Sequence, residues 1–311
     1  MPGLVIRVDP ERRQWWKETL SEQLPGFDIH LWDEDEFNAD SIEYAVVWMP
    51  PLGMLSSLPN LRCVLSVGAG VSHILRDPDY PKAVPIIRTT SEDLRKRMSE
   101  YIALHVLRFH RRLPDVQAAH GSKTWTQYVE PLARDFTVGM LGLGNLGAPS
   151  AATLHGIGYS ILGWSRRGQP VDGVEVHSGE DGLREVLSRS DVLVCMLPGT
   201  AQTVNLLDAH KLSTMKPGAF LINVGRGDCL VDADLIAALE SGHLGGVTLD
   251  VFREEPLPVS DPLWEAPNML VTCHTASAIE PTTGGKVISA NILAFEAGEH
   301  VADTVDLSQG Y

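Results

Sequence analysis

The sequence predicts an α/β protein that is built from parallel sheets and divided into two domains. Short apolar runs alternate with amphipathic stretches of helical period along the whole chain, which is typical of repeated strand–helix–strand units. The 311 residues also exceed what one hydrophobic core usually serves. Hydrophobic residues make up 44% and charged residues 21% of the chain, as in an ordinary globular protein.

The N-terminal part of the chain predicts the first sheet. Its apolar runs indicate strands at residues 4–8, 44–49, 63–68 and 86–90, with helices at residues 11–24 and 54–58. A long helix is predicted next, from residue 94 to residue 117. Ser91 can cap the start of this helix, and Pro114 disturbs its last turn.

A second series of apolar runs predicts the second sheet. These runs lie at residues 136–142, 160–164, 191–197, 219–225, 246–252 and 269–274. A helix at residues 232–242 has Asp232 as its expected N-cap and Gly242 as its left-handed terminator. The last helix, at residues 285–298, follows the final strand and can return to the first domain. We therefore expect residues 104–283 to form one domain, inserted into another made of residues 1–103 and 284–311.

Charge and cysteine content limit the partners of the chain. A net charge of −15 argues against nucleic acid and against an anionic membrane surface. No apolar run approaches the roughly 18–20 residues that span a bilayer, and the N-terminal run predicts a strand, not a signal peptide. The four cysteines are dispersed in apolar segments, which predicts buried free thiols, a cytoplasmic protein and no metal site.

A glycine-rich turn indicates a dinucleotide site. The segment "MLGLGNLG" contains G-x-G-x-x-G as Gly142, Gly144 and Gly147, between an apolar strand and a helical stretch. These glycines would permit a tight turn, close approach of a pyrophosphate, and close packing of helix on strand. Asn145 and Leu146 lie within the same turn, at a helix N-terminus whose N–H groups can face phosphates. The alternative is a turn without a ligand, and the strand–turn–helix context favours the dinucleotide.

The next strand ends in a segment that favours a phosphorylated ribose. Ser165 stands 18 residues after Gly147, where a protein that binds NAD usually places an acid on the ribose hydroxyls. Ser165 removes the repulsion that an acid would bring, and Arg166 and Arg167 supply donors that suit a 2′-phosphate. The alternative is a solvated loop with two incidental arginines. The position favours NADPH, with NADH bound more weakly.

Four motifs together resemble the D-isomer-specific 2-hydroxyacid dehydrogenases. "MLGLGNLG", "NVGRGDCLVD", "LDVFREEPLP" and "CHTASA" occur in the order and spacing of that family. "VVWMPP", "SVGAGVSHIL" and "MLPGTAQT" are similar to its glyoxylate/hydroxypyruvate reductase branch. The resemblance implies two doubly wound parallel-sheet domains, Rossmann- and flavodoxin-like, with the active site in the cleft between them. It also implies a homodimer.

The resemblance implies three catalytic residues. Arg226 matches the substrate-binding arginine, Glu255 the catalytic glutamate, and His274 the acid/base histidine. Reduction of a 2-keto acid adds a hydride to C2 and a proton to the carbonyl oxygen, and a histidine can supply that proton. Taken alone, each residue is better explained without catalysis, as a surface arginine, part of an acidic loop, or a structural histidine. Their joint occurrence after successive strands favours catalysis.

Further contacts are implied by the same resemblance. The backbone N–H groups of Gly68, Ala69 and Gly70 could bind a substrate carboxylate, and Trp48 would line the substrate pocket or be a core aromatic at a strand end. Arg226 and His274 would also contact substrate and cofactor. The remaining implied cofactor contacts are Leu197, Pro198, Thr203, Val224 and Gly225, with Asp250 at the nicotinamide amide.

These observations favour an NADPH-dependent reductase of small 2-keto acids such as glyoxylate and hydroxypyruvate. Two alternatives remain at this point. One is an NAD-dependent D-2-hydroxyacid dehydrogenase that acts on a bulkier substrate. The other is a dinucleotide-sensing interaction protein similar to the family's transcriptional corepressors.

Overall fold

The protein, seen in a computed structural model that describes residues 1–307, alternates strands and helices throughout. The strands are β1 (Gly3–Arg7), β2 (Asp28–Leu31), β3 (Ile42–Val47), β4 (Cys63–Ser66), β5 (Ile86–Arg88), β6 (Thr137–Leu141), β7 (Ser160–Trp164), β8 (Val174–His177), β9 (Val192–Cys195), β10 (Ala219–Asn223), β11 (Leu244–Leu249) and β12 (Met269–Val271). The α-helices are α1 (Arg13–Gln23), α2 (Ser72–Leu75), α3 (Glu92–His110), α4 (Leu113–Gly121), α5 (Gly147–Ile157), α6 (Gly179–Arg189), α7 (Ala209–Thr214), α8 (Asp232–Glu240) and α9 (Pro281–Glu296).

The first compact unit consists of residues 1–94 and the C-terminal segment from residue 278. Its sheet is parallel, with the strand order β2-β1-β3-β4-β5, which is the flavodoxin-like doubly wound order. Helix α9 packs against α1 in this unit. The chain therefore does return to its first sheet after the last strand.

The second compact unit comprises Arg95–Ser277 and holds the larger sheet. Its seven strands are parallel in the order β12-β11-β10-β9-β6-β7-β8. Counted from β6, this is the Rossmann order with one strand added at the edge. Strand β9 is buried along its whole length, because helices cover both faces of a parallel sheet. The prediction of two doubly wound parallel sheets is confirmed.

The structure divides the chain nine residues before the expected first boundary and six before the second. The first division falls within α3, which runs from Glu92 to His110. The predicted single helix at residues 94–117 is wrong in extent. Arg112 has the left-handed value φ 51° and separates α3 from α4, where Pro114 occupies the first turn, a position that needs no amide partner. The predicted cap at Ser91 is confirmed, since its hydroxyl accepts from the Leu94 N–H at 3.1 Å.

The predicted ends of two other helices can be compared with the structure. Asp232 is the first residue of α8, not its N-cap, and Val231 stands in the cap position. Gly242 has φ +73° and terminates the helix as predicted. The last helix begins at Pro281 because Glu280 caps it by accepting from the Thr283 N–H at 3.1 Å.

The thiols differ in exposure. All four cysteines are free, and Cys63, Cys195 and Cys229 are buried as predicted, but Cys273 is exposed. It follows β12 in a turn at the end of the sheet, where the chain leaves the core. Within residues 1–307, no helix combines the length and apolarity needed to cross a membrane.

Candidate active site

The predicted catalytic and cofactor residues follow the strands of the larger sheet. The strand order reverses between β6 and β9, and ligands of doubly wound sheets bind beyond the carboxyl ends of the strands at such a reversal. Gly142 follows β6, Leu197 follows β9, Arg226 follows β10 and His274 follows β12. The loops at one edge of this sheet therefore carry most of the predicted site.

His274 and Glu255 form a direct pair. Nδ1 of His274 lies 2.7 Å from Oε2 of Glu255, and the other carboxylate oxygen accepts from the Phe252 N–H at 2.9 Å. An ionised carboxylate only accepts hydrogen bonds, so Nδ1 carries the hydrogen that is shared with Glu255. The His274 side chain is 32% exposed and that of Glu255 19%. The glutamate is thus the inner member of the pair and the histidine the outer one.

The surroundings of Glu255 keep it ionised. Burial alone would raise the pKa of this carboxyl. The hydrogen bond and charge of His274, the Phe252 N–H and the charge of Arg226 outweigh burial and hold the pKa below its ordinary value. A carboxylate next to an imidazole stabilises the protonated imidazolium and sets its tautomer.

Arg226 lies in a loop that the sequence builds tightly. The fully buried Asn223 accepts from the Gly225 N–H at 3.1 Å and donates to the Arg226 carbonyl at 3.0 Å. A Cβ on Gly225 would lie 2.6 Å from the Leu197 carbonyl oxygen, so only glycine allows the loops after β9 and β10 to approach this closely. Burial lowers the pKa of Arg226 and the charge of Glu255 opposes the shift; the guanidinium stays charged.

The glycine turn has the shape expected of a phosphate site. Gly142 has φ +101°, and a Cβ on Gly147 would lie 2.1 Å from the Gly142 carbonyl oxygen. A Cβ on Gly144 would meet nothing within 4 Å, so the backbone there faces open space at the start of α5. Asn145 accepts from Arg95 Nε at 2.6 Å, which ties α3 to this turn, and Leu146 precedes α5. The residues present fit a dinucleotide pyrophosphate.

The structure also brings together the three residues of the basic segment. Ser165 follows β7 directly, and its N–H donates to the His177 carbonyl at 3.1 Å. The Gly168 N–H donates back to the Ser165 carbonyl at 3.3 Å, which closes a tight turn around Arg166 and Arg167. Both arginines are exposed, beside the strand that carries the glycine turn.

The hydroxyl of Thr203 stabilises the loop after β9. Thr203 donates to the Pro198 carbonyl at 2.5 Å and accepts from the Thr200 N–H at 2.9 Å. Leu197 is buried, and the Val224 N–H pairs with the Cys195 carbonyl at 3.0 Å. Because the hydroxyl hydrogen of Thr203 is used within the loop, this residue shapes the loop.

The predicted substrate residues lie together in the smaller unit. Trp48 follows β3, and a Cβ on Gly68, after the neighbouring β4, would lie 3.4 Å from its ring. The Trp48 ring is also 4.4 Å from the ring of His73. In this loop, the Ser66 hydroxyl donates to the Gly70 carbonyl and the Thr89 N–H donates to the Gly68 carbonyl. By contrast, no backbone carbonyl in residues 1–307 accepts from the N–H groups of Gly68, Ala69 and Gly70. These N–H groups can serve an anion.

Comparisons with known proteins identify the family to which this chain belongs. The sequence model for "D-isomer specific 2-hydroxyacid dehydrogenase, NAD binding domain" matches residues 103–276. A curated relative, glyoxylate/hydroxypyruvate reductase A of Salmonella typhi, is 37% identical over 302 residues, 96% of each chain. The chain belongs to the D-isomer specific 2-hydroxyacid dehydrogenase family. The resemblance drawn from the four motifs is confirmed.

Two solved structures extend the family likeness over the whole fold. A D-isomer specific 2-hydroxyacid dehydrogenase of Xanthobacter autotrophicus Py2, in complex with NADPH and MES, has a TM-score of 0.93 at 38% identity and covers 100% of this chain and 99% of its own. The NADPH-dependent glyoxylate/hydroxypyruvate reductase of Sinorhizobium meliloti, with NADP and sulfate, has a TM-score of 0.93 at 33% identity and covers 100% of both chains.

One part of the site of this family member was missed by sequence reasoning. Asp250 accepts hydrogen bonds from the turn that carries His274, including one from Thr272, which in turn contacts Tyr101. Tyr101 and Thr272 are 171 positions apart in the chain, so no local sequence pattern indicates this contact. The apolar pattern predicted only that Thr272 lies within a strand at residues 269–274.

Proposed function

We propose that this dehydrogenase uses NADPH to reduce small 2-keto acids, such as glyoxylate and hydroxypyruvate, to 2-hydroxy acids. The observation that carries the proposal is the 2.7 Å contact of His274 with Glu255, at the sheet edge that also holds the glycine turn and Arg226. This edge combines a proton donor, an anion-binding arginine and a dinucleotide site. Reduction of a 2-keto acid needs all three.

His274 acts as the proton donor. Its Nδ1 contacts Glu255, and Nε2 would give its proton to the carbonyl oxygen of the substrate. In the reverse direction the same nitrogen accepts the hydroxyl proton. Glu255 stabilises the imidazolium before transfer and keeps the neutral ring in the tautomer with Nε2 unprotonated. NADPH, when bound, supplies the hydride that C2 accepts.

Arg226 binds and polarises the substrate. Its planar guanidinium can pair with the substrate carboxylate and donate to the carbonyl oxygen where negative charge develops. The N–H groups of Gly68, Ala69 and Gly70 would bind a substrate carboxylate, and Trp48 would limit the size of the substrate side chain. The pocket would thus favour substrates with a short side chain.

The cofactor contacts follow the strand ends. Gly142, Gly144, Asn145, Leu146 and Gly147 would hold the pyrophosphate, while Ser165, Arg166 and Arg167 would bind the 2′-phosphate. Residues on the loops after β9, β10 and β11 would line the nicotinamide side. These are Leu197, Pro198, Thr203, Val224, Gly225 and Asp250, with Arg226 and His274. Oδ2 of Asp250, which accepts only from the Ala276 N–H among the described residues, would take the nicotinamide amide.

A homodimer is part of the proposal. The exposed apolar side chains of α3, α4 and the segment after α4 lie close together in sequence, and such exposure is typical of a protein interface. They are Leu104, Leu107, Leu113, Val116, Trp125, Val129 and Leu132. We expect a dimer by light scattering, and a cytoplasmic enzyme in keeping with its free thiols.

A turnover assay tests the proposal. Loss of NADPH absorbance is followed with glyoxylate, hydroxypyruvate and a bulky aromatic 2-keto acid, and each assay is repeated with NADH. His274→Ala serves as the matched inactive protein. We expect the highest kcat/KM with NADPH and a small keto acid. A preference for NADH and the aromatic acid would support the bulkier-substrate alternative, and dinucleotide binding without turnover would support an interaction protein.

A further inference from the structure

Asp250 holds the chain on both sides of His274. Before the histidine, the Thr272 hydroxyl donates to Asp250 Oδ1 at 2.5 Å. After it, the N–H groups of Thr275 and Ala276 donate to the two carboxylate oxygens at 2.9 Å each. The His274 N–H itself donates to the Asp250 carbonyl at 2.8 Å. One residue, 1% exposed, therefore fixes the entire turn.

The backbone of this turn needs such support. His274 has φ 51°, in the left-handed region that residues with a Cβ rarely occupy. A strained conformation of this kind persists only where the surrounding structure determines it. The hydrogen bonds to Asp250 lie on either side of this residue and supply that determination.

A chain of hydrogen bonds joins the Asp250 carboxylate through Thr272 to Tyr101 on helix α3, and every donor in it points towards Asp250. Thr272 has a single hydroxyl hydrogen, which it gives to Asp250, an acceptor. The 2.6 Å contact between the hydroxyls of Thr272 and Tyr101 must therefore be donated by Tyr101. Burial raises the pKa of the Tyr101 phenol above its ordinary value, so the phenol keeps the hydrogen. Each hydroxyl in such a chain is polarised by the next.

We infer that Tyr101 and Thr272, acting through Asp250, are positioning residues for His274. They hold its turn so that the imidazole meets Glu255 on one side and the substrate on the other. Neither residue touches the reacting atoms. The inference rests on the proposed function, because it concerns the geometry of proton transfer.

Three conservative variants of the full-length protein test the inference. Thr272→Val removes the hydroxyl and keeps the shape, Thr272→Ser restores the hydroxyl, and Tyr101→Phe removes only the terminal donor. Tyr80→Phe is the control, since Tyr80 is a buried tyrosine whose hydroxyl likewise donates one hydrogen bond, to the Val84 carbonyl at 2.6 Å. Tyr80 and Val84 both lie in the smaller unit, whereas the hydrogen bonds to Asp250 lie in the larger one.

We expect kcat to fall about tenfold in Thr272→Val and about threefold in Tyr101→Phe, as for loss of one buried hydrogen bond. The keto-acid KM and the NADPH Kd should change less than about twofold, because neither substituted side chain is a proposed binding group and Asp250 keeps its hydrogen bonds from the Thr275 and Ala276 N–H groups. Thr272→Ser and Tyr80→Phe should retain the wild-type kcat. Unchanged kcat in Thr272→Val, or an equal loss in Tyr80→Phe, would overturn the inference.

Amide hydrogen exchange separates this inference from the proposed function. The measurement uses the protein without cofactor or substrate, and we expect the amides of Thr275 and Ala276 to exchange faster in Thr272→Val but not in Thr272→Ser. If the wild type reduces no keto acid, the proposed function is wrong, and unchanged exchange in Thr272→Val would show separately that the network does not hold the turn.

Discussion

The two sheets share a parallel, doubly wound plan but differ in the residues at the carboxyl ends of their strands. After the strands of the larger sheet come a glycine turn, an arginine, a glutamate and a histidine, with Glu255 and His274 in contact. After β3 and β4 of the smaller sheet come an aromatic ring and a glycine loop, with Trp48 over Gly68. The same architecture therefore carries the proposed catalytic groups in one unit and, in the other, an aromatic ring and backbone N–H groups that would bind an anion.

This difference predicts how the two units respond to substitution. Changes after the strands of the larger sheet should alter turnover and cofactor binding. Changes after the strands of the smaller sheet should alter the choice of substrate.

The largest effect is expected for His274→Ala. Turnover should fall roughly 10²–10⁴-fold, the usual contribution of a positioned acid/base group. NADPH affinity should change far less, because the proposed role of the imidazole is proton transfer to the substrate. Steady-state kinetics and a fluorescence titration measure the two quantities, with the exposed His210 changed to alanine as the control. Turnover within a few-fold of wild type would remove His274 from the mechanism.

Arg226→Lys should be severe although the charge is kept. Lysine lacks the planar fork that meets carboxylate and carbonyl together, so we expect kcat/KM to fall about 100-fold. Arg189→Lys is the comparison. Arg189 also makes a forked contact, to Glu175 at 2.6 and 2.8 Å, but on the surface. Equal kinetics in the two variants would place Arg226 outside the site.

Arg166→Ala should separate the two cofactors. Loss of one charged hydrogen bond to the 2′-phosphate should weaken NADPH binding roughly 10–100-fold and leave NADH nearly unchanged. Ser165→Asp should shift the preference towards NADH by repulsion. Paired titrations with both cofactors measure this, with the exposed Arg134 changed to alanine as the reference. Equal losses for both cofactors would exclude a 2′-phosphate contact.

Trp48→Ala tests the other side of the comparison. Removing the ring over Gly68 should raise the kcat/KM ratio of an aromatic keto acid to glyoxylate by about tenfold, the scale of a few methylene-sized contacts. The kcat for glyoxylate should change less than in His274→Ala. Trp15→Ala, at a partly exposed tryptophan of α1, is the control. An unchanged selectivity ratio would mean that Trp48 is a core residue.

The smallest effect concerns acid stability. The pKa of Glu255 is lowered in the folded state, so the stabilisation from its ionised form is present above the ordinary value of about 4.3 and is lost as the pH falls through the lowered value. Denaturant unfolding of wild type and Glu255→Gln should therefore show a difference at pH 7 that shrinks below about pH 4. A difference that grows in acid would contradict the sign.

The strands show which parts of the fold the sequence predicts. Strands such as β9, buried along its length, appear as continuous apolar runs and were predicted. The two that were missed, β2 and β8, are short, partly exposed edge strands. Half of such a strand faces water, so its sequence carries no apolar run.

The site divides in a similar way. Arg226, Glu255 and His274 stand in motifs that a reader of the sequence can match to a family. Tyr101 and Thr272 meet only because α3 packs beside the end of β12, and their contact depends on tertiary structure. Sequence therefore indicates the proposed catalytic groups more readily than the residues that we infer to position them.

The exposure of Cys273 makes this thiol available for selective chemical labelling. The other three thiols are buried, and buried thiols in apolar surroundings react slowly. A maleimide or a fluorine-bearing thiol reagent added to the folded protein should therefore attach at one position, immediately before His274, the proposed acid/base residue. A reporter placed there without any mutation would follow the arrival of ligands and the motion of the His274 turn by fluorescence or fluorine NMR.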